Sequence, residues 1–92
     1  VAAYHDTLAR GYLALGQREA AREAFERALR LDANHLDALL GLAVTLIDDD
    51  QRDRAARLYA RLEPVFRTTD EPAPHLRAEF RKVADTFGTA RP

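Results

Sequence analysis

The residues from Leu36 to Ile47, LDALLGLAVTLI, form a twelve-residue run in which only Asp37, Gly41 and Thr45 are not apolar. Such a run is too short to cross a bilayer, which takes about 20 consecutive apolar residues. It is apolar around its whole circumference, so in a small domain it needs cover on several sides. The segments around it carry one apolar stripe each. Tyr4, Leu8, Tyr12 and Leu15 recur at helical spacing before Gly16, and Ala21, Ala24, Phe25, Ala28, Leu29 and Leu31 form a second stripe after it. Ala55, Leu58, Tyr59 and Leu62 mark a fourth helix from about Gln51 to Glu63, and Leu76, Phe80, Val83, Ala84 and Phe87 mark a fifth. The pattern predicts an all-α protein.

Polar residues set the expected boundaries. Glu23 before Arg27 and Glu26 before Arg30 pair one turn apart on the solvent side of the second helix. Asn34 stands where it can cap the helix that starts at Leu36. Asp48, Asp49 and Asp50 sit badly at the negative end of that helix, so they read better as a start signal, with Asp50 capping the fourth helix and Asp53 in its first turn. Pro64 lacks a backbone N–H and should end or kink the fourth helix. The stretch RTTDEPAP reads as a loop, Pro74 opens the last helix, Gly88 stops it, and TARP at the end should fray.

Sliding the chain against itself by 34 residues aligns Leu8 with Leu42, Ala9 with Ala43, Ala21 with Ala55 and Phe25 with Tyr59, and more loosely Tyr12 with Leu46 and Ala28 with Leu62. Two helices per unit at this period point to stacked helical hairpins. Small residues at Ala9, Ala21, Ala43 and Ala55 let paired helices approach closely, while Tyr12, Phe25 and Tyr59 fill the wider gaps. The stretch LARGYLALGQREAAREAFERALRLDAN, from Leu8 to Asn34, resembles the tetratricopeptide repeat in its small residue at Ala9, aromatic at Tyr12, turn glycine at Gly16, and Ala21, Phe25 and Ala28. The second unit departs from that pattern, with Asp50 in place of the turn glycine, Leu46 in place of the tyrosine, and Ala33 where the junction usually has proline.

The resemblance implies an α-solenoid of antiparallel helix-turn-helix repeats in one domain, 1–92. Repeat one is expected at 2–35, repeat two at 36–66, a loop at 67–73, and a capping helix or partial third repeat at 74–88. The last helix lags the 34-residue register by seven residues, two helical turns. Its polar residues Arg77, Arg81, Lys82 and Asp85 should meet water. The resemblance further implies a protein-interaction module or scaffold with a concave groove that binds a peptide or amphipathic helix. Asp6, Arg10 and Leu13 from the first helix, Leu40, Val44 and Ile47 from the third, and Arg81 from the last are the expected groove residues. The other expectation is a structural or self-assembling segment whose groove is buried by its own capping helix, neighbouring repeats or further copies. Family members that grip carboxylate tails use lysine, asparagine and arginine at set groove positions. Here those positions hold Asp6, Arg10 and Gly41, and only Lys82 on the last helix fits, so a carboxylate clamp is not expected.

Composition narrows the alternatives. The chain has 92 residues, with fourteen basic and fifteen acidic side chains and a net charge of −1, which lacks the basic excess that steers a domain to nucleic acid. There is no cysteine, so no disulfide or thiolate metal site is available. Without a signal for any compartment, a cytoplasmic location is the default. Thirteen arginines against one lysine match the usage of GC-rich bacterial genomes. His5, His35 and His75 have no helical i, i+4 spacing, and Asp48 to Asp50 lack the spaced oxygens and glycine of a calcium loop. No serine nucleophile and no Gly-rich phosphate loop is present, so neither an enzyme nor a bound metal or cofactor is expected. The partner is expected to be a protein or peptide, with a homo-oligomer as a further possibility, and neither nucleic acid nor membrane.

Overall fold

The computed structural model describes residues 1–68 and 73–87. Five helices follow one another: α1 (Ala2–Ala14), α2 (Arg18–Leu31), α3 (Leu36–Asp48), α4 (Arg52–Thr68) and α5 (Pro74–Phe87). No strand occurs among the described residues. α1 pairs with α2 and α3 with α4; α2 packs on α3 to join the two hairpins, and α5 lies against α3 and α4. The expected stop at Gly88, the tail 89–92 and most of the expected 67–73 loop lie outside the described residues.

The apolar run becomes α3, and α3 touches each of the other four helices. Eight of its thirteen residues are buried. Ala38, Leu42 and Leu46 join a core with Ala21, Ala24, Phe25, Ala28 and Ala55, while Leu39, Leu40 and Ala43 join another with Leu62 and Val83. Each leucine buried this way stabilises the fold by about 2 kcal/mol. The four alanines Ala9, Ala21, Ala43 and Ala55 are all fully buried. At Gly41 the approach is so close that a Cβ would overlap the ring of Phe25, itself completely buried. The neighbouring Thr45 hides its hydroxyl by donating to the Gly41 carbonyl at 2.7 Å.

The two hairpin turns share one geometry. After α1, the Gln17 N–H donates to the Tyr12 carbonyl and the Gly16 N–H to that of Leu13, both at 2.9 Å. After α3, the Gln51 N–H donates to the Leu46 carbonyl at 2.8 Å and the Asp50 N–H to that of Ile47 at 3.1 Å. Both pairs are the Schellman closure of a helix C-terminus, which requires a left-handed residue, and Gly16 (φ 78°) and Asp50 (φ 60°) take that conformation. Asp50 is therefore the closing turn of α3 rather than the cap of α4. An aspartate reaches this conformation at a cost that glycine does not carry.

Two further boundaries differ from expectation. His35, not Asn34, caps α3: its Nδ1 accepts from the Ala38 N–H at 3.2 Å, while the Asn34 N–H donates to the Asp32 carboxylate. α4 runs on through Pro64 to Thr68 instead of ending near Glu63. Proline there removes one intrahelical hydrogen bond, and tertiary packing outweighs that loss. Leu62 is fully buried before the proline, and Phe66 after it stacks on Phe80 of α5 with ring centroids 4.4 Å apart. Glu26 pairs with Arg54 of α4 at 2.9 Å, across the hairpins, rather than with Arg30.

Asp50→Gly should raise unfolding free energy by about 0.5–1 kcal/mol in urea melts, because glycine takes the left-handed turn without strain. Gly41→Ala should do the reverse. Its overlap with the enclosed Phe25 ring costs about 2–3 kcal/mol, more than the roughly 1 kcal/mol that alanine gains in helix propensity, so the midpoint should fall.

Candidate functional site

α1, α3 and α5 form one side of the stack, α3 in the middle. Arg10, in the centre of α1, reaches across this row. Its Nη1 and Nη2 donate to the two carboxylate oxygens of Glu79 on α5 at 2.7 and 3.0 Å. Nη2 also donates to the Asp37 backbone carbonyl at the start of α3, at 2.9 Å. The guanidinium carbon lies 5.7 Å from the centroid of the Phe25 ring. One side chain thus ties four helices, with the fork-shaped geometry that suits guanidinium to carboxylate. The hydrogen bond to Glu79, foremost among several acidic neighbours, holds the Arg10 proton more tightly than usual despite partial burial. A second polar link fastens the same end of α5, where His75 Nε2 lies 3.1 Å from an Asp37 carboxylate oxygen.

Asp6 sits one turn before Arg10 and is only 8% exposed. Its Oδ1 lies 3.4 Å from Arg10 Nε, a charge contact without a hydrogen bond, and no other group satisfies that oxygen. Burial is the largest influence on this carboxyl and raises its pKa above the usual 3.8; Asp37 adds to the rise, and Arg10 and His35 oppose it.

The expected groove residues divide into three sets. Asp6 and Arg10 belong to the polar cluster just described. Leu13, Val44 and Ile47 are half-buried, with Leu13 and Ile47 packed around the first core and Val44 and Ile47 around the second. Phe87 of α5 borders both cores beside them. Leu40 is wholly buried, in the core that includes Val83 of α5, so it forms floor rather than accessible surface. Arg81 is exposed and borders a shallow hollow with Pro74, Arg77 and Ala78. Two positions beyond Glu79 on a helix means about 200° of rotation, so Arg81 points away from the side on which Glu79 meets Arg10. The structure therefore does not bring Arg81 to the Arg10 cluster. Glu79, Asp37 and His75 belong to it instead, and the sequence carries only a faint sign of this: Glu79 is an acidic residue on the half of α5 that also bears Leu76, Phe80 and Val83.

Among the described residues, no three His, Cys, Asp or Glu side chains come close enough to hold a metal ion, and no helix is long and apolar enough to cross a membrane. His35 caps α3, and His75 lies within hydrogen-bonding distance of Asp37.

Asp6 allows a test by pH. Its folded pKa lies above its unfolded one, so below both values it weighs on neither state. As pH rises through the interval above 3.8, the native state must give up a proton it holds more tightly, and stability falls. Asp6→Asn removes that loss. Its stability relative to wild type should therefore improve from pH 3 to pH 7 in parallel urea melts, and a constant difference would show that Asp6 does not titrate abnormally.

The family model of the tetratricopeptide repeat matches residues 12–79 of this chain. No match was found among curated proteins or among solved structures.

Proposed function

The chain belongs to the tetratricopeptide repeat family, a non-catalytic repeat module that generally mediates protein–protein interaction, and from that premise we propose that it binds a peptide or amphipathic helix of another protein along the α1–α3–α5 side. The observation that carries this reading is the half-open apolar set Leu13, Val44 and Ile47 beside the charged cluster of Asp6 and Arg10. Apolar anchors of a partner would lose water against the first set. Leu40 supports the strip from beneath, and Arg81 supplies positive charge at the outer edge of α5 rather than within the groove.

The burial of Leu40 favours a second reading, in which this side is interior to a larger structural stack and α5 is its resident cover. Val44→Glu separates the two. Helical peptides selected from a random library against the folded wild type should lose at least about tenfold in affinity for the variant, a deficit of roughly 1.4 kcal/mol, while its far-ultraviolet circular dichroism stays unchanged. Equal binding by wild type and variant would sink the groove reading, and a change in sedimentation mass with no peptide bound by either would favour the structural one.

A further inference from the structure

α2 and α4 both rest on α3 but do not pack on each other, which leaves a cleft between them with α3 as its floor. Walls and floor all belong to the two repeats, so the cleft is bounded within the chain itself. Two arginines of α4 reach across it. Arg54 Nη2 donates to the Glu26 carboxylate at 2.9 Å, and Arg61 Nη2 donates to the Ala33 carbonyl at 2.8 Å. Each bridge joins residues 28 apart in sequence, so α2 and α4 run parallel and in step. The bridges hold the cleft at two levels seven residues, or about 10 Å, apart along the helices.

Two hollows lie along this cleft. The first, of about 220 Å³, has Leu42, Leu46 and Leu58 at its base beside Arg54, Arg57 and Arg61. The second, of about 270 Å³, has Leu36, Leu39 and Val65 at its base and shares Arg61 with the first. About six helical residues separate their centres, roughly 9 Å. Charge stands above the apolar base on both walls. Arg30 lies one turn beyond Glu26 on α2, and Arg57 lies between Arg54 and Arg61 on α4. Because the helices are in step, these two arginines stand within about one residue rise of the same height. Both are exposed, and neither side chain has a hydrogen bond or ion pair among the described residues. Like charges on facing walls repel, and the apolar base between them weakens screening by water, so the pair favours an anion.

We propose that this cleft binds an acidic, extended segment of another protein, in which two apolar residues three apart enclose a pair of carboxylates. It is a second site, separate from the α1–α3–α5 side. An extended chain of three residues per turn rises about 3.1 Å per residue, so its positions i and i+3 share one side about 9 Å apart. The hollows have that spacing. The two residues in between then project to opposite sides, one carboxylate towards Arg30 on α2 and the other towards Arg57 on α4, where guanidinium can donate in a fork. Arg61 crosses between the hollows and adds to this charge, since it uses only Nη2 on Ala33 and retains other N–H donors. Apolar side chains supply the anchors and the acids set the register. Nucleic acid suits the cleft poorly, because neither hollow is lined by an aromatic ring on which a base could stack.

The blocked peptide Pro-Leu-Glu-Glu-Leu-Pro has this pattern, and its prolines favour the extended form. Titrated into the isotope-labelled chain up to about 5 mM, it should give saturable amide shifts on α2, α4 and the α3 leucines, with a Kd below about 1 mM. The same peptide with glutamine for both glutamates should bind at least about tenfold more weakly. A chain carrying both Arg30→Gln and Arg57→Gln should show the same loss with an unchanged thermal midpoint, because neither side chain holds the fold together. Val44→Glu, which tests the α1–α3–α5 side, should bind the peptide as wild type does. The proposal is overturned if no saturable shift occurs, if the glutamine peptide binds equally, if the arginine double variant binds as wild type does, or if the shifts fall on α1 and α5 and vanish with Val44→Glu.

Discussion

Everything in this structure depends on covering α3 from all sides. A helix with so few polar residues is insoluble on its own, and each neighbour solves part of that problem: α2 covers Ala38, Leu42 and the backbone at Gly41, α4 the side that meets Leu62, and α5 the side at Leu40 and Ala43. The approach of Phe25 to Gly41 sets how near the first hairpin lies to the second. A native interior has few spare gaps, so that one distance propagates into the positions of α1 and α4. Helices α2, α4 and α5 each pack against two neighbours and keep a charged outer face, whereas α3, packed against four, is apolar almost throughout.

The same arrangement explains the polar cluster. α5 covers Leu40 only if it lies on α3, and it packs there more extensively than α3 packs on α1. This brings its first two turns within reach of Arg10 and Asp37. The bidentate Arg10–Glu79 pair then joins the two ends of the stack, from the first helix to the last. A half-buried pair of this kind is worth more than an exposed one, since less water and salt screen it, although its partial desolvation consumes part of the gain. Asp6 carries the cost of the neighbourhood: a carboxylate with an unsatisfied oxygen, kept beside Arg10 but raised in pKa by burial. Polar cluster and half-open apolar set together give one side of the protein two kinds of chemistry.

The two repeats also show how one geometry accepts different residues when the backbone requires the same thing. Gly16 and Asp50 occupy equivalent left-handed positions and close their helices with equivalent hydrogen bonds. Tyr4, Thr7 and Gly11 occupy positions equivalent to Ala38, Gly41 and Thr45, yet one set is open and the other enclosed. The backbone constraint is local to each turn, so it repeats. The cover over a helix depends on what stands beside it, so it does not.

Periodicity alone located all five helices and picked out four alanines that are fully buried, because these follow from side-chain size and spacing along a few turns of chain. The turn glycine at Gly16 was legible for the same reason. His35 as the cap of α3 and Asp50 as a left-handed turn residue were not, since several polar residues compete at each boundary and backbone dihedrals decide among them. The continuation of α4 through Pro64 required Leu62 and Phe66 to find their partners, Phe66 on a helix well beyond the proline in sequence. Likewise, Asp6 and Arg10 could be named from one helix, but Glu79, 69 residues from Arg10, was joined to them only by the docking of α5, which also closed over Leu40 and turned Arg81 aside. Local energies are written in neighbouring residues; the choice of which distant surfaces meet belongs to the packed whole, where burial of α3 outweighs any single cap, proline or charge.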